Sequence, residues 1–400
     1  MISMTKLQQY VDEIYDEIVQ IRRQIHQNPE LSEEEIETSC LIQSKLDEMG
    51  IEYTKDVAGH GVMATIYGKN KEHGVGIRAD IDALPILEAT DVPFKSKKDG
   101  VMHACGHDIH TAILLGTAKV LNQLKDELPG CVRLLFQPSE ETIGGAKQMI
   151  EAGCLQNPEI DNVIGLHVNS FSPVGTVIVT PGPMNAASTE FYVTVKGESC
   201  HGAHPNVGID PLVPACAMVT NLQSIITRRI TAAEAALITV GQFHSGTKNN
   251  IIPGETKFSG IIRVLNMKNR DFIKNELVKM CTNIAEGYGA SCQVEFQDSY
   301  PSLENHPVLG KWTDDAIASA IGSDKIIKND TPSLGADDFS YFCHHCNGYY
   351  YEIGAKKPDA EKAYPIHSEF FDPDEESIRI GIITEVAAVL NILNEASKEW

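Results

Sequence analysis

Basic side chains are scarce in this sequence. Lysine and arginine number 33 against 55 aspartates and glutamates, for a formal net charge of −22. Such a surface repels a phosphate backbone, so nucleic acid is excluded as a partner, and an anionic membrane face on the same ground. No apolar run of about 18 residues occurs, so no membrane-spanning helix is expected. The opening "MISMTKLQQYVDEIYDEIVQIRRQIHQ" has neither a continuous apolar stretch nor a small-residue cleavage site, and is not read as a signal peptide. Internal repeats and low-complexity tracts are missing too. The ten cysteines are scattered. Without an export signal they are expected as reduced thiols in a cytoplasmic protein.

What is present is an ordinary globular composition, 42 % hydrophobic and 22 % charged. Its 400 residues exceed what one core usually carries, so two domains are expected. Leu7, Val11, Ile14, Ile18, Ile21 and Ile25 recur at helical spacing. Pro29 stops that helix, and Ser32 with Glu35 reads as a capping box for a second one. Strand-like runs follow at 51–57, 61–68 and 74–79. An amphipathic helix is expected over 108–125, with Ile109, Ala112, Ile113, Gly116, Val120 and Leu124 on its apolar face. Strands are expected at 131–137 and 162–168. This alternation predicts an α/β sheet covered on both sides. From about 184 the pattern changes. Strands at 188–196, 236–243, 257–265 and 291–298 and helices at 210–230 and 269–287 give the order βαββαβ, a ferredoxin-like unit. The α/β pattern resumes after Pro301. The expected division is therefore 1–184 with 300–400 as one domain and 185–299 as an insert.

Chemistry-bearing residues gather at the ends of these strands. "MHACGHDIH" (102–110) places Cys105 and His107 just before the 108–125 helix, whose N-terminus favours a metal-binding thiolate. "LLFQPSEE" (134–141) ends an apolar strand in Glu140 and Glu141, where α/β folds place their sites. Neighbouring side chains diverge, so one carboxylate can hold metal while the other faces water. "GLHV" contributes His167 and "YPIHSEFF" His367. Alone, each has a plainer reading: a buried thiol, a surface acidic pair, a hydrogen-bonded core histidine. Together, five ligands of mixed type exceed what one catalytic zinc takes, unless one ligand bridges two metals. A thiolate bridges well, and Glu140 is then left as a general base.

Nine segments, "RRQIHQNPELSEEE" (22–35), "GIRADIDALPI" (76–86), "MHACGHDIHTA" (102–112), "LLFQPSEE" (134–141), "GLHV" (165–168), "HGAHP" (201–205), "NIIPGE" (250–255), "GADDFSYF" (335–342) and "HSEFF" (367–371), span nearly the whole chain. In this order the sequence resembles the dinuclear metal amidohydrolases of the aminoacylase and carboxypeptidase G superfamily, in the branch of hippurate hydrolases and indole-acetyl-amino-acid hydrolases. The resemblance implies an α/β catalytic domain with an inserted lid and dimerisation domain, and a homodimer or dimer-based oligomer. It implies two divalent ions per subunit (Mn, Zn, Co or Ni) on Cys105, His107, Glu141, His167 and His367. Glu140 would be the general base for a metal-bridged hydroxide that attacks the amide of an N-acyl amino acid. Asp80 would orient a ligand. His201 would reach across a dimer interface to stabilise the oxyanion, with Asn250 beside the substrate and Arg263 on its carboxylate. The chain departs from the family at Asn206, often histidine there, and at Asp337, commonly glutamate.

The rival within the superfamily is a dipeptidase or carboxypeptidase. Such relatives usually carry His-x-Asp and no cysteine ligand, where this chain has Arg78-Ala79-Asp80 and Cys105. A catalytically dead binding protein is disfavoured by the intact Glu140 and ligand set, and a thiol redox protein is the remaining alternative. "CHHC" (343–346) reads as a helix-end loop, for no second pair follows it. His26 is expected to pack, His204 to be loop variation, and His103 and His110 to flank the ligands without joining them.

Overall fold

The computed structural model describes residues 3–398 and 400. It comprises two compact units. The larger is Met1–Gly182, Glu304–Thr331 and Asp338–Trp400, and the smaller is Pro183–Leu303 with Pro332–Asp337. The second piece of the smaller unit lies in a segment the sequence assigned to the larger domain. Two backbone bonds explain it: Ala186 N–H donates to Gly335 C=O at 2.9 Å, and Ser333 N–H to Met184 C=O at 2.8 Å.

In the larger unit, helix α1 (Met4–Gln27) is capped by Ser3, whose hydroxyl accepts from Lys6 N–H at 3.3 Å. Its buried face includes Leu7, Val11, Ile14, Ile18, Ile21 and Ile25. Helix α2 (Ile36–Met49) is not started by the expected capping box, since Glu35 makes no side-chain cap bond. Glu30 does that work. Its carboxylate accepts from Glu37 N–H at 3.0 Å and Thr38 N–H at 2.8 Å, and Ser32 turns away to donate to Asp82 at 2.7 Å. Helix α3 (His107–Gln123) is buried almost all round, not on one face as its hydropathy suggested. It packs against α1 and the C-terminal helix Glu376–Ala396.

Eight strands form the sheet of this unit: β1 (Glu52–Val57), β2 (Gly61–Ile66), β3 (His73–Asp80), β4 (Cys131–Gln137), β5 (Glu159–Pro173), β6 (Val177–Val179), β7 (Ile326–Lys328) and β8 (Asn347–Lys356). Their spatial order is β1-β2-β4-β3-β5-β8-β6-β7. The central pairs β4/β3, β3/β5 and β5/β8 are parallel. Every residue of β4 is buried, as a strand covered on both faces must be. Parallel strands end on one side, so the loops after β3 and β4 meet there.

The smaller unit is a four-stranded antiparallel sheet of Ala187–Lys196, Ala236–Ser245, Glu255–Val264 and Ser291–Asp298. Counted along the chain, its spatial order is second, third, first, fourth. Helices Leu212–Arg229 and Met267–Gly287 pack on it, burying Phe191, Val193, Leu222, Phe258, Ile273 and Leu277. This is the ferredoxin-like arrangement. Apart from that sheet, a short two-stranded ladder pairs Cys200–His201 with Ile251–Ile252. Two residues are too few to show alternation, so that ladder is not legible from hydropathy.

Candidate metal centre

The site is assembled in the larger unit from three loops, one strand and the start of α3. Gly106 makes the turn between Cys105 and His107 at φ +92°, and a Cβ there would lie 2.3 Å from a Val168 methyl. Only glycine allows the ligand loop to press so closely on β5. His367 is itself left-handed, at φ +64°, held by its N–H to Ala104 C=O at 2.8 Å.

Cys105 Sγ lies 3.3 Å from His167 Nε2, and His367 Nε2 lies 3.3 Å from Glu141 Oε1. His107 Nε2 is 3.9 Å from the same Glu141 oxygen. Among the described residues, the triads of ligand atoms within 4.8 Å of one another include Cys105–His107–His167, Cys105–Glu141–His367 and His107–Glu140–Glu141. Cys105, His107 and Glu141 each belong to two of these three, and of these residues the thiolate of Cys105 is the side chain that joins the His167 group to the His367 group. The site is buried around Cys105, His107 and Glu140 and open at His367, whose side chain is 48 % exposed.

Hydrogen bonds decide which ring nitrogens are free. His107 Nδ1 donates to Asp82 C=O at 2.9 Å and to Asp82 Oδ1 at 3.1 Å, and His167 Nδ1 donates to Val168 C=O at 2.7 Å. Both imidazoles therefore turn an Nε2 lone pair inward. His107 Nε2 and Glu141 Oε1 are buried with no hydrogen-bond partner, a costly state unless a cation sits between them. The residues present thus fit a pair of divalent ions. His110 does not join them. Its Nδ1 donates to Asp80 at 2.6 Å and its Nε2 accepts from Val168 N–H at 3.0 Å, so neither nitrogen is spare.

Charge in the cluster follows from burial and neighbours. Burial pushes the Cys105 thiol well above its usual value; His107 opposes the rise, and Glu141 and Glu140 add to it. Burial would lower His107, yet Asp80, Cys105 and Asp82 raise it well above the usual imidazole value, so a cation bound at Nε2 would take the place of a proton there. Burial pulls His110 down to about 4 despite Asp80. Asp80 is held well below the carboxylate range, against burial, by Arg78, His107 and His110.

Asp80 was the residue expected to orient a ligand, yet the carboxylate on His107 Nδ1 is that of Asp82. Asp80 stands 3.7 Å from His107 Nε2 and bonds Arg78 and His110. Asp82 also accepts from Glu141 N–H at 3.0 Å, so one carboxylate holds two of the candidate ligands. The available signal was "DID", two carboxylates two residues apart at a strand end. His26 packs, but through charge: its Nδ1 meets Asp108 at 2.8 Å and its Nε2 meets Glu88 at 3.3 Å. Burial pulls His103 down to about 3. His345 bonds Tyr341 C=O on the helix Ser340–His345, and among the described residues no ligand triad includes the "CHHC" run.

The smaller unit holds the remaining candidates. The short ladder sets His201 opposite Ile251, and Gly202 N–H donates to Asn250 C=O at 2.8 Å, so His201 and Asn250 are neighbours. His201 Nδ1 accepts from Ala203 N–H at 3.0 Å, which leaves Nε2–H as a donor on an exposed ring, with the His204 ring 5.5 Å away. Arg263 lies apart on the strand Glu255–Val264 and donates to Leu334 C=O at 3.3 Å.

Comparison with known proteins bears on this geometry. The profile of Peptidase family M20/M25/M40 matches residues 76–391. Thermostable carboxypeptidase 2 of Saccharolobus solfataricus is 39 % identical over 394 residues, 98 % of this chain and 99 % of that protein. N-acetylcysteine deacetylase of Bacillus subtilis is 35 % identical over 91 % of this chain and 93 % of its own length. A Bacillus subtilis crystal structure, described as a dinuclear metal binding peptidase from the M20 family, superposes with a TM-score of 0.83. It is 32 % identical and covers 96 % of this chain and 99 % of its own.

Proposed function

The chain belongs to peptidase family M20/M25/M40 and is a hydrolase of amide bonds, and from that premise we propose that its substrates are N-acyl amino acids. The observation that carries the reading is the pair of triads sharing Cys105, with Glu140 beside them. Cys105, His107, Glu141, His167 and His367 would hold two divalent ions, of Mn, Zn, Co or Ni. When bound, these supply Lewis-acid polarisation of a carbonyl and a more acidic water. Glu140 takes the proton of the attacking water and returns it to the leaving amine. The Nε2–H of His201 donates to the developing oxyanion, and in a homodimer it would serve the partner's site. Asn250 lies beside it for substrate. Arg263 pairs with the free α-carboxylate, for which a planar guanidinium is well shaped.

The 39 % identical carboxypeptidase favours a second reading, release of C-terminal residues from peptides. Arg263 would serve either, because both substrates end in a carboxylate. The distinction lies in what precedes the amide. The deciding experiment reloads metal-free protein with each ion and measures amino-acid release. Substrates are N-acetyl and N-benzoyl amino acids, their carboxamides, and short peptides. N-acyl amino acids are expected to turn over fastest. Carboxamides should lose about 2–5 kcal/mol of transition-state binding, because Arg263 is left unpaired. Glu140→Gln should keep its metal and lose ~10²–10⁴-fold in kcat. Faster release from peptides than from every N-acyl amino acid would establish the second reading instead.

A further inference from the structure

The turn that carries Glu140 and Glu141 begins in a strained conformation. Ser139 sits at φ +59°, the left-handed region, and so does Glu33 at φ +69°, which bonds to it. Residues other than glycine persist there only where surroundings hold them, and such strain collects at functional sites. Here the holder is the residue that leads into α2. Glu35 is fully buried, and its Oε1 accepts from Ser139 N–H at 2.8 Å and stands 3.3 Å from the Ser139 hydroxyl. Glu33 N–H donates to Ser139 Oγ at 3.0 Å, and Gly144 N–H to Ser139 C=O at 2.9 Å. The other Glu35 oxygen has no hydrogen-bond partner, and burial pushes the carboxyl up. A buried carboxyl thus spends one oxygen on the backbone N–H and hydroxyl of Ser139, a costly arrangement for packing alone. The far side of the turn is gripped as well, by Asp82 on Glu141 N–H. Glu140 lies between the two grips.

We propose that Glu35 is a positioning residue for Glu140: by holding Ser139 in the left-handed turn, it aims the Glu140 carboxylate at the reacting water. This rests on the reading of Glu140 as general base. Glu35 touches no reacting atom and acts through the backbone. If it merely filled space, any side chain of similar volume would replace it.

Two variants separate these roles. Glu35→Met keeps most of the volume and removes the acceptor. Glu35→Gln keeps an acceptor oxygen for Ser139 N–H. Glu35→Met is expected to lower kcat by ~10–100-fold with KM within about twofold, while metal stoichiometry stays full. Glu35→Gln should retain kcat within about threefold. Adding Ser139→Gly to Glu35→Met should recover most of the loss, because glycine holds the left-handed conformation unaided. A crystal structure of metal-free Glu35→Met should show Ser139 out of the left-handed region. Equal kcat in the Met and Gln variants, or a Ser139 that stays left-handed in Glu35→Met, overturns the proposal. Glu140→Gln is assayed alongside. If it is fully active, the base assignment fails whatever Glu35 does. If it is inactive while Glu35→Met is normal, only the positioning role fails.

Discussion

At the scale of single residues, Asp82 concentrates the most demand. One carboxylate oxygen receives the His107 N–H, and the other receives the Glu141 N–H and the Ser32 hydroxyl. All three are donors, so a group that only accepts is required. The cluster holds the Asp82 carboxyl below its usual value although burial opposes this, with His107 the main cause. Asp82→Asn is nearly the same size, yet either orientation of the amide points an NH2 at a donor. One of the two ligands must then swing. We expect folding to survive and metal affinity to fall by ~10–100-fold, the usual effect of losing a partner behind a metal ligand. Titration of the metal-free variant reads this directly. Wild-type affinity would show that Asp82 only fills space.

At the scale of elements, α1 and β4 were legible because their burial is apolar. Six aliphatic side chains at helical spacing mark one face of α1, and "CVRLLFQ" can only be a strand covered twice. Helix α3 misled for the opposite reason. It buries His107, Asp108, His110, Thr111 and Thr117, which hydropathy counts as exposed. Their partners are far away in sequence: Thr111 donates to Asp80 C=O at 3.0 Å and Thr117 to Glu385 at 2.7 Å. The candidate metal ligands were readable as a set of residue types at strand ends, and the fold brings them together. Asp82 and Glu35 were not, since each acts through contacts that only the folded chain brings together. The Thr117–Glu385 contact also ties α3 to the C-terminal helix, at a cost that varies with pH. Burial pushes Glu385 up to about 8, with the Thr117 hydroxyl opposing. A carboxyl raised in the folded state adds stability that is full below its unfolded pKa, near 4.5, and lost as pH climbs toward 8. Glu385→Gln abolishes that loss. The variant should gain ~1–3 kcal/mol over wild type at pH 8, with the gap closing toward pH 5. Urea unfolding at both pH values measures it, and parallel curves would refute a raised Glu385.

At the scale of the whole molecule, the five candidate ligands and Glu140 lie in the larger unit, although three stretches of chain contribute to that unit. The net charge of −22 draws cations toward the protein, an attraction that salt screens. Ion binding to the folded larger unit alone should stabilise it by mass action, about 2.7 kcal/mol at an ion concentration of 100 Kd. The smaller unit has its own core around Phe191, Phe258 and Leu277 and holds none of these ligands. Removing metal should therefore lower the melting of one unit and spare the other. Calorimetry with and without chelator should show a transition moving down by several degrees while a second stays in place. The shift should shrink in high salt at fixed metal concentration, because screening weakens the attraction of cations to an acidic surface. A single transition unmoved by chelator would mean that the buried lone pairs of His107 and Glu141 are not neutralised by a bound ion. The case for a metal centre would then fall, independently of any substrate assay.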